Sequence, residues 1–468
     1  MLARADAAAI DLSAEVAQFF ARAQRILAQF EPALDGAFSD EQRRAMMDAL
    51  GGAGSDYRWN FYQNGFSGER VSVTTQDMAA FMRIARRYVE HSLRANKRAD
   101  ALFHSYNILH LAQGRASVGH LYEMLEGQAS ILSSGWLSAQ DSLALLNALP
   151  GSRLYRPDQH TYILYPDRVL PGFVERNSVS AERVKDIALF AALANARDKT
   201  LVARDERGAY HFCGHIHNAK DVSAALTALG KNPRYAALAQ AEAGKIHALF
   251  EEVFHHTEFT GRSGTFFAYE GLGSVYWHMV AKLLLAAQET AIRLKDAPCA
   301  AELKAAYSAI RAGMCFNKPP REYGAFPADP YSHTPAGQGA KQPGMTGAVK
   351  EMLLTRQAEL GLTAQNGRLV FDPFMLNPAE FLAAPSVYEY VDVRGRAQEI
   401  VVPAGGLACS ICQTPVVLVS GPQDRIAVYL ADGACVFVEG VALDEATTRR
   451  IFLRDARVHH LLVTLRLA

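Results

Sequence analysis

Tyr155-Arg156-Pro157-Asp158-Gln159, followed by Tyr162, Tyr165, Asp167 and Arg168, sets carboxylates and guanidinium groups among tyrosines. Tyrosine offers a flat apolar face to a sugar ring and a hydroxyl to its edge, and a carboxylate beside arginine orients hydroxyls. The structural alternative is a turn in which Asp and Arg merely pair with each other. Glu270 stands in a glycine-rich stretch, GRSGTFFAYEGLGS, with Arg262 and Tyr269 close by. Glycines let a backbone approach a ligand closely, and a carboxylate at a helix start is favoured in its charged form. These residues predict Glu270 as the main catalytic carboxylate with Asp158 or Asp167 as its partner. Arg156, Gln159, Tyr165, Arg168, Arg262 and Tyr269 are then expected to bind sugar. The alternative for Glu270 is a helix cap.

A second concentration of chemistry is the segment 317–350, NKPPREYGAFPADPYSHTPAGQGAKQPGMTGAVK. Pro319, Pro320, Pro327, Pro330 and Pro335 argue against a helix or a central strand there. A long polar loop carrying aromatic residues points to the wall of a binding site, the alternative being a structural Ω-type loop. Tyr323, Asp329 and Tyr331 are expected to contact substrate. If phosphate is the nucleophile, Arg321, His333, Gln342 and Thr346 are the expected oxyanion ligands, helped by the helix that starts after Gly344. Glu126 and Gln128, polar residues in the apolar stretch LYEMLEGQASILSSG, are further candidates for substrate contact, or else part of a solvated helix face.

Other constellations carry less. Cys213, His215 and His217 alternate at strand spacing, but no second Cys/His pair completes a zinc pattern, so no metal is expected. Cys409-x-x-Cys412 lies in a β-type segment, whereas the redox form opens a helix. No GxSxG, Walker-type loop, GxGxxG or HExxH occurs, nor the Asp-rich magnesium motif of a terpene cyclase.

Composition narrows the class. The chain has 468 residues, 50% of them hydrophobic, and equal numbers of basic and acidic residues at 48 each. That length predicts two domains, and the neutral balance without a basic stripe argues against nucleic acid. No long apolar run or signal-type leader is evident, and the scattered cysteines suit reduced thiols; a cytoplasmic protein is expected. Nothing in the composition speaks to oligomeric state.

The elements that must position these residues read as helices from residue 10 to about 360. Ala14–Phe30 has apolar residues three and four apart with Asp11 or Ser13 as cap, and Ser39 opens a helix toward Leu50. Thr75 or Asp77 caps a long one, Ser138 caps AQDSLALLNAL, Ser180 is expected to open AERVKDIALFAALANA, and Ala300 to Ala312 reads as a later helix. After Pro385 the period becomes that of short β-branched strands, which predicts an antiparallel β-sandwich. The fold class is therefore mainly α with a C-terminal all-β domain: an α/α toroid over 1–375, then the sandwich over 376–468.

This order, with the phrases YRPDQHTYILYPDR, GRSGTFFAYEGLGSVYWHMVAKLLL, KQPGMTGAVKEMLLTR and CSICQTPVVLVSG, resembles the six-hairpin carbohydrate enzymes. It is most similar to the cellobiose/chitobiose phosphorylase group and its large uncharacterised bacterial relatives. The resemblance implies an enzyme acting on the glycosidic bonds of an oligo- or polysaccharide with inversion, as a hydrolase or a phosphorylase. It implies no cofactor, with inorganic phosphate as the prospective co-substrate. The Asp-rich DGDWND-type segment that carries the general acid of those phosphorylases has no counterpart here. The alternative is accordingly a non-catalytic glycan-binding or scaffold toroid.

Overall fold

The computed structural model describes residues 8–167, 171–255, 273–327, 329, 331–343 and 347–467. The chain forms two compact units, residues 166–274 and the remainder on either side of them.

In the larger unit, the strands Ala9–Ser13 and Arg70–Thr74 pair and lead into α1 (Ala14–Phe30), α2 (Asp40–Asn64) and α3 (Thr75–Ala95). Ser13 caps α1, Ser39 and Gln42 form a reciprocal capping box on α2, and Thr74 caps α3. These side-chain oxygens satisfy backbone N–H groups that the first turn leaves open. α4 (Leu125–Ser133) and α5 (Ala139–Ala148) follow a β-hairpin, Asn107–Ala112 with Arg115–His120.

The smaller unit holds α6 (Phe173–Arg176), α7 (Ala188–Ala196), α8 (Ala219–Gly230) and α9 (Ala236–Phe254), with a short hairpin, Val202–Arg204 and Tyr210–Phe212. It has its own apolar core, which includes Leu189, Phe190, Phe212, Val222, Ile246 and Phe250. The helix expected from Ser180 starts later, at Ala188. The carboxylate of Glu242 on α9 accepts from the backbone N–H groups of Ala188 and Leu189, so a tertiary cap sets the start in place of the local serine.

Back in the larger unit come α10 (Trp277–Arg293), α11 (Ala300–Ala312), α12 (Pro320–Tyr323) and α13 (Gly347–Glu359). α10 is apolar on nearly every side, with Trp277, Val280, Leu283, Leu284 and Ala287 fully buried. A helix with that pattern must be surrounded. α4, α11 and α13 pack against it, and α5 packs against α11. Each leucine so buried contributes roughly 2 kcal/mol of apolar transfer free energy.

The C-terminal part has a five-stranded sheet in the order Gly406–Ile411, Thr414–Ser420, Val458–Leu465, Arg425–Leu430, Cys435–Glu439. The wholly antiparallel order expected from the sequence is corrected here. Val416–Ser420 runs parallel to Leu461–Leu465, because α14 (Glu445–Leu453) supplies the crossover that a parallel partner needs. Ile451 of α14 and Leu369 and Phe371 of the hairpin Leu362–Gln365/Arg368–Phe371 share a core with Val416, Ile426 and Leu461 of the sheet. Among the described residues, no helix is long and apolar enough to cross a membrane.

Candidate functional site

The proline-rich segment contains the two element types it was expected to lack. α12 has Pro320 at its first position, where no backbone N–H is required. Tyr331–Thr334 is the middle strand of a three-stranded sheet, between Lys341–Pro343 and Val275–Tyr276. Pro335 follows this strand without entering it, so Tyr331–Thr334 itself contains no proline.

The Tyr155–Gln159 segment bolts this loop in place. Arg156, 8% exposed, donates Nε to Asp158 Oδ1 at 2.9 Å and Nη2 to Oδ2 at 3.0 Å. Its Nη1 reaches the Thr334 carbonyl at 2.6 Å and its Nη2 the Pro335 carbonyl at 3.2 Å. Gln159 donates to the Glu322 carbonyl at 3.0 Å, and the buried Lys318 ammonium joins the Gln159 carbonyl to the Glu322 carboxylate. The Arg156 guanidinium holds the Asp158 carboxyl below its usual range, which makes Asp158 a poor proton donor. Arg156 and Gln159 thus anchor the loop through the groups that were expected to meet sugar, while Asp158, the expected catalytic partner, accepts from Arg156.

The aromatic residues divide in the same way. Tyr323 is fully buried, edge-on to Trp277 at 5.5 Å and to Tyr331 at 5.9 Å, and burial pushes its hydroxyl pKa up. Trp277 donates its indole N–H to Thr334 Oγ1 at 2.9 Å. Tyr165 is also buried, 5.5 Å from the Tyr122 ring. Gln128 is fully buried as well, and its amide exchanges hydrogen bonds with both backbone groups of Phe103 and with the Met124 carbonyl. Glu126 is half-buried and accepts from the Tyr106 hydroxyl at 2.8 Å. Arg321, Asp329 and Gln342 are exposed. Asp167, in the smaller unit, lies against Gly273, where an added Cβ would come within 2.9 Å of its carboxylate. Glu270, Arg262, Tyr269, Arg168 and Thr346 lie outside the described residues.

The sheet gathers a group of ionisable side chains. His333 stands opposite Lys341 on one neighbouring strand and Tyr276 on the other, so the three share a face. The Tyr276 ring lies 4.8 Å from the His333 imidazole and 4.9 Å from that of His278, at the start of α10. Its hydroxyl and His278 Nδ1 share a hydrogen bond at 3.0 Å, and Ser332 Oγ is 2.6 Å from His333 Nδ1. Gln342, two residues before the described chain breaks off ahead of α13, has a left-handed φ of 59°, a conformation costly for a non-glycine residue.

His278 is electrostatically coupled to His333 and to Glu351 on α13. Desolvation holds its pKa below the usual histidine value, Glu351 opposes that shift, and Lys282 and His333 add to it. Two imidazoles and Lys341 around one tyrosine, next to the start of a helix, can accept an anion through charge-assisted hydrogen bonds.

Of this group the sequence had singled out His333 and Gln342. Tyr276 was not among the expected site residues, and His278 and Glu351 carried no local signal beyond polarity within helical segments. The one available hint is that Glu351, Thr355 and Glu359 fall four apart, and all are buried while Leu353 and Leu354 are exposed.

Comparison with curated proteins gives no match. Residues 170–257, inside the 166–274 unit, match a family model described as GH149 phosphorylase insertion domain 2, which supports a glycoside phosphorylase-like carbohydrate enzyme without singling out the cellobiose phosphorylase group.

Proposed function

We propose that the chain takes part in inverting phosphorolysis of an oligo- or polysaccharide. A phosphate oxygen forms a bond to the anomeric carbon as the glycosidic C–O bond breaks. A carboxylic acid protonates the departing oxygen, and the product is a sugar 1-phosphate of opposite configuration. The observation that carries this reading is the contact of the Tyr276 ring with both the His278 and the His333 imidazoles, in a chain whose residues 170–257 match a phosphorylase insertion-domain model. His278 and His333 would hold the phosphate, with Arg321, Gln342 and Thr346 as further ligands. Glu270 is the proposed main catalytic carboxylate, on sequence grounds. Asp158 is ill suited to that part because Arg156 occupies its carboxylate.

The packing of α4, α11 and α13 against α10, and of α5 against α11, supports reading these helices as part of an α/α toroid wall. Such a wall presents helix ends and connecting loops at one mouth, where a saccharide can lie across the 331–343 sheet.

The test is turnover of a panel of oligosaccharides with and without inorganic phosphate, followed by phosphorus NMR. Appearance of a sugar 1-phosphate only with phosphate is the expected result. Release of free sugar without phosphate would point to a hydrolase, and saturable binding without product to the glycan-binding alternative.

A further inference from the structure

α13 buries two carboxylates on the face that meets its neighbours, and they are treated differently. Glu359, 8% exposed, accepts from the Tyr307 hydroxyl at 2.5 Å and pairs with Arg311 and with Arg356 at 2.9 Å. Its charge is fully compensated, as a structural buried carboxylate requires. Glu351, 4% exposed, has only Lys350 at 3.4 Å on Oε1, and that lysine is itself largely in solvent. Its Oε2 is buried with no hydrogen-bond partner among the described residues. Two turns apart on one helix, one carboxylate is saturated and the other keeps an open acceptor. A buried acceptor of this kind needs a partner or a purpose.

The complementary open group is His278 Nε2, also buried and without a partner among the described residues. It belongs to α10, against which α13 packs. Nδ1 of the same ring is committed to the Tyr276 hydroxyl, so Nε2 is the nitrogen left to meet a ligand or a carboxylate. We propose that Glu351 is a positioning residue whose carboxylate favours the doubly protonated, anion-binding form of His278 against the burial that opposes it. In that form Nδ1–H donates to Tyr276 Oη and Nε2–H is presented between the anion and Glu351. The proposal rests on the phosphate-binding reading of His278 given above.

The charged and titratable groups acting on His278 are Glu351 from α13, Lys282 on its own helix and His333 from the central strand, with Tyr276 in direct contact. Of these, Glu351 favours the imidazolium, against burial, Lys282 and His333. Without it, an anion would meet a neutral ring able to offer one weaker donor.

The decisive measurement is the NMR titration of the His278 ring in the whole chain without phosphate, in wild type and in Glu351→Gln. The midpoint is expected to fall by about 0.5 unit or more in the variant, a differential interaction of the size that one buried neighbouring charge produces. Glu351→Asp, which keeps the charge but retracts it, is expected to shift the midpoint less and serves as the second variant if Glu351→Gln does not fold. A midpoint that stays put in the folded variants overturns the proposal. Because this titration needs no turnover, it also separates the two ideas. A shifted midpoint in a protein that makes no sugar phosphate refutes phosphorolysis alone. If turnover is observed, the pH above which KM for phosphate rises should move down with the midpoint while kcat at saturating phosphate changes by less than about threefold.

Discussion

The Tyr276 ring stacks on the His333 imidazole with centroids 4.8 Å apart and planes 16° from parallel, while its hydroxyl reaches His278 Nδ1 at 3.0 Å. One tyrosine therefore sets the orientation of two histidines that come from segments more than fifty residues apart in the chain. The stack fixes the plane of His333, and the hydrogen bond fixes which nitrogen of His278 is left free. Both rings are thus arranged before any ligand arrives, which lowers the ordering cost of binding.

Loss of either imidazole should weaken anion binding without unfolding the protein. His278→Asn and His333→Asn are each expected to raise KM for phosphate by roughly 10–100-fold, the equivalent of one charge-assisted hydrogen bond of about 1.5–3 kcal/mol. Initial rates against phosphate concentration check this, with thermal unfolding as the control for integrity. An unchanged KM in both variants would remove the anion site.

The two buried carboxylates of α13 should separate in stability. Glu359→Gln breaks the link between Tyr307, Arg311 and Arg356 and is expected to cost about 1–3 kcal/mol. Glu351→Gln removes a poorly compensated buried charge and should be neutral or slightly stabilising. Urea unfolding of the two variants side by side decides it.

Asp158 predicts a pH dependence of defined sign. Its folded pKa lies below the unfolded value because Arg156 donates to its carboxylate. The stabilisation is therefore complete above the unfolded pKa of about 3.9 and is lost as pH falls through the lower folded value. Asp158→Asn should be less stable than wild type by about 1 kcal/mol near neutrality, a figure discounted for the exposure of the carboxylate, and the gap should close in acid. Equilibrium unfolding at several pH values tests this.

Gly324 should tolerate no side chain. Its φ is 73°, and a Cβ there would sit 2.3 Å from the Gly339 Cα, backbone against backbone. Gly324→Ala is expected to cost at least about 2 kcal/mol and to loosen the loop around α12. Faster proteolysis within 324–340, with the rest of the chain still protected, is the readout.

Much of the helical layout could be read locally. Ser13, Ser39 and Ser138 cap the helices that the apolar spacing announces, and Ala300–Ala312 has the bounds that its period implies. Caps and periodicity act within a few residues, so a linear reading reaches them. The start of α7 escaped it because Glu242 lies 54 residues away from Ala188. The parallel strand pair escaped it too, since strand direction depends on a crossover helix whose polar sequence, EATTRRIFL, announces little by itself.

By itself the sequence determined where chemistry was concentrated: the 155–168 and 317–350 segments and a set of charged, aromatic and histidine side chains suited to carbohydrate or phosphate. Tertiary structure decided what those side chains do. Arg156 and Gln159 turn inward as fasteners because buried loop carbonyls need donors, and Tyr323 fills the core beside Trp277. His278 and Glu351 come under each other's influence only once α13 lies against α10 and burial removes the water that would otherwise screen their interaction. Residue type is a local property, whereas solvation and charge environment belong to the folded neighbourhood, and those two settle whether a polar group braces the structure or meets a ligand.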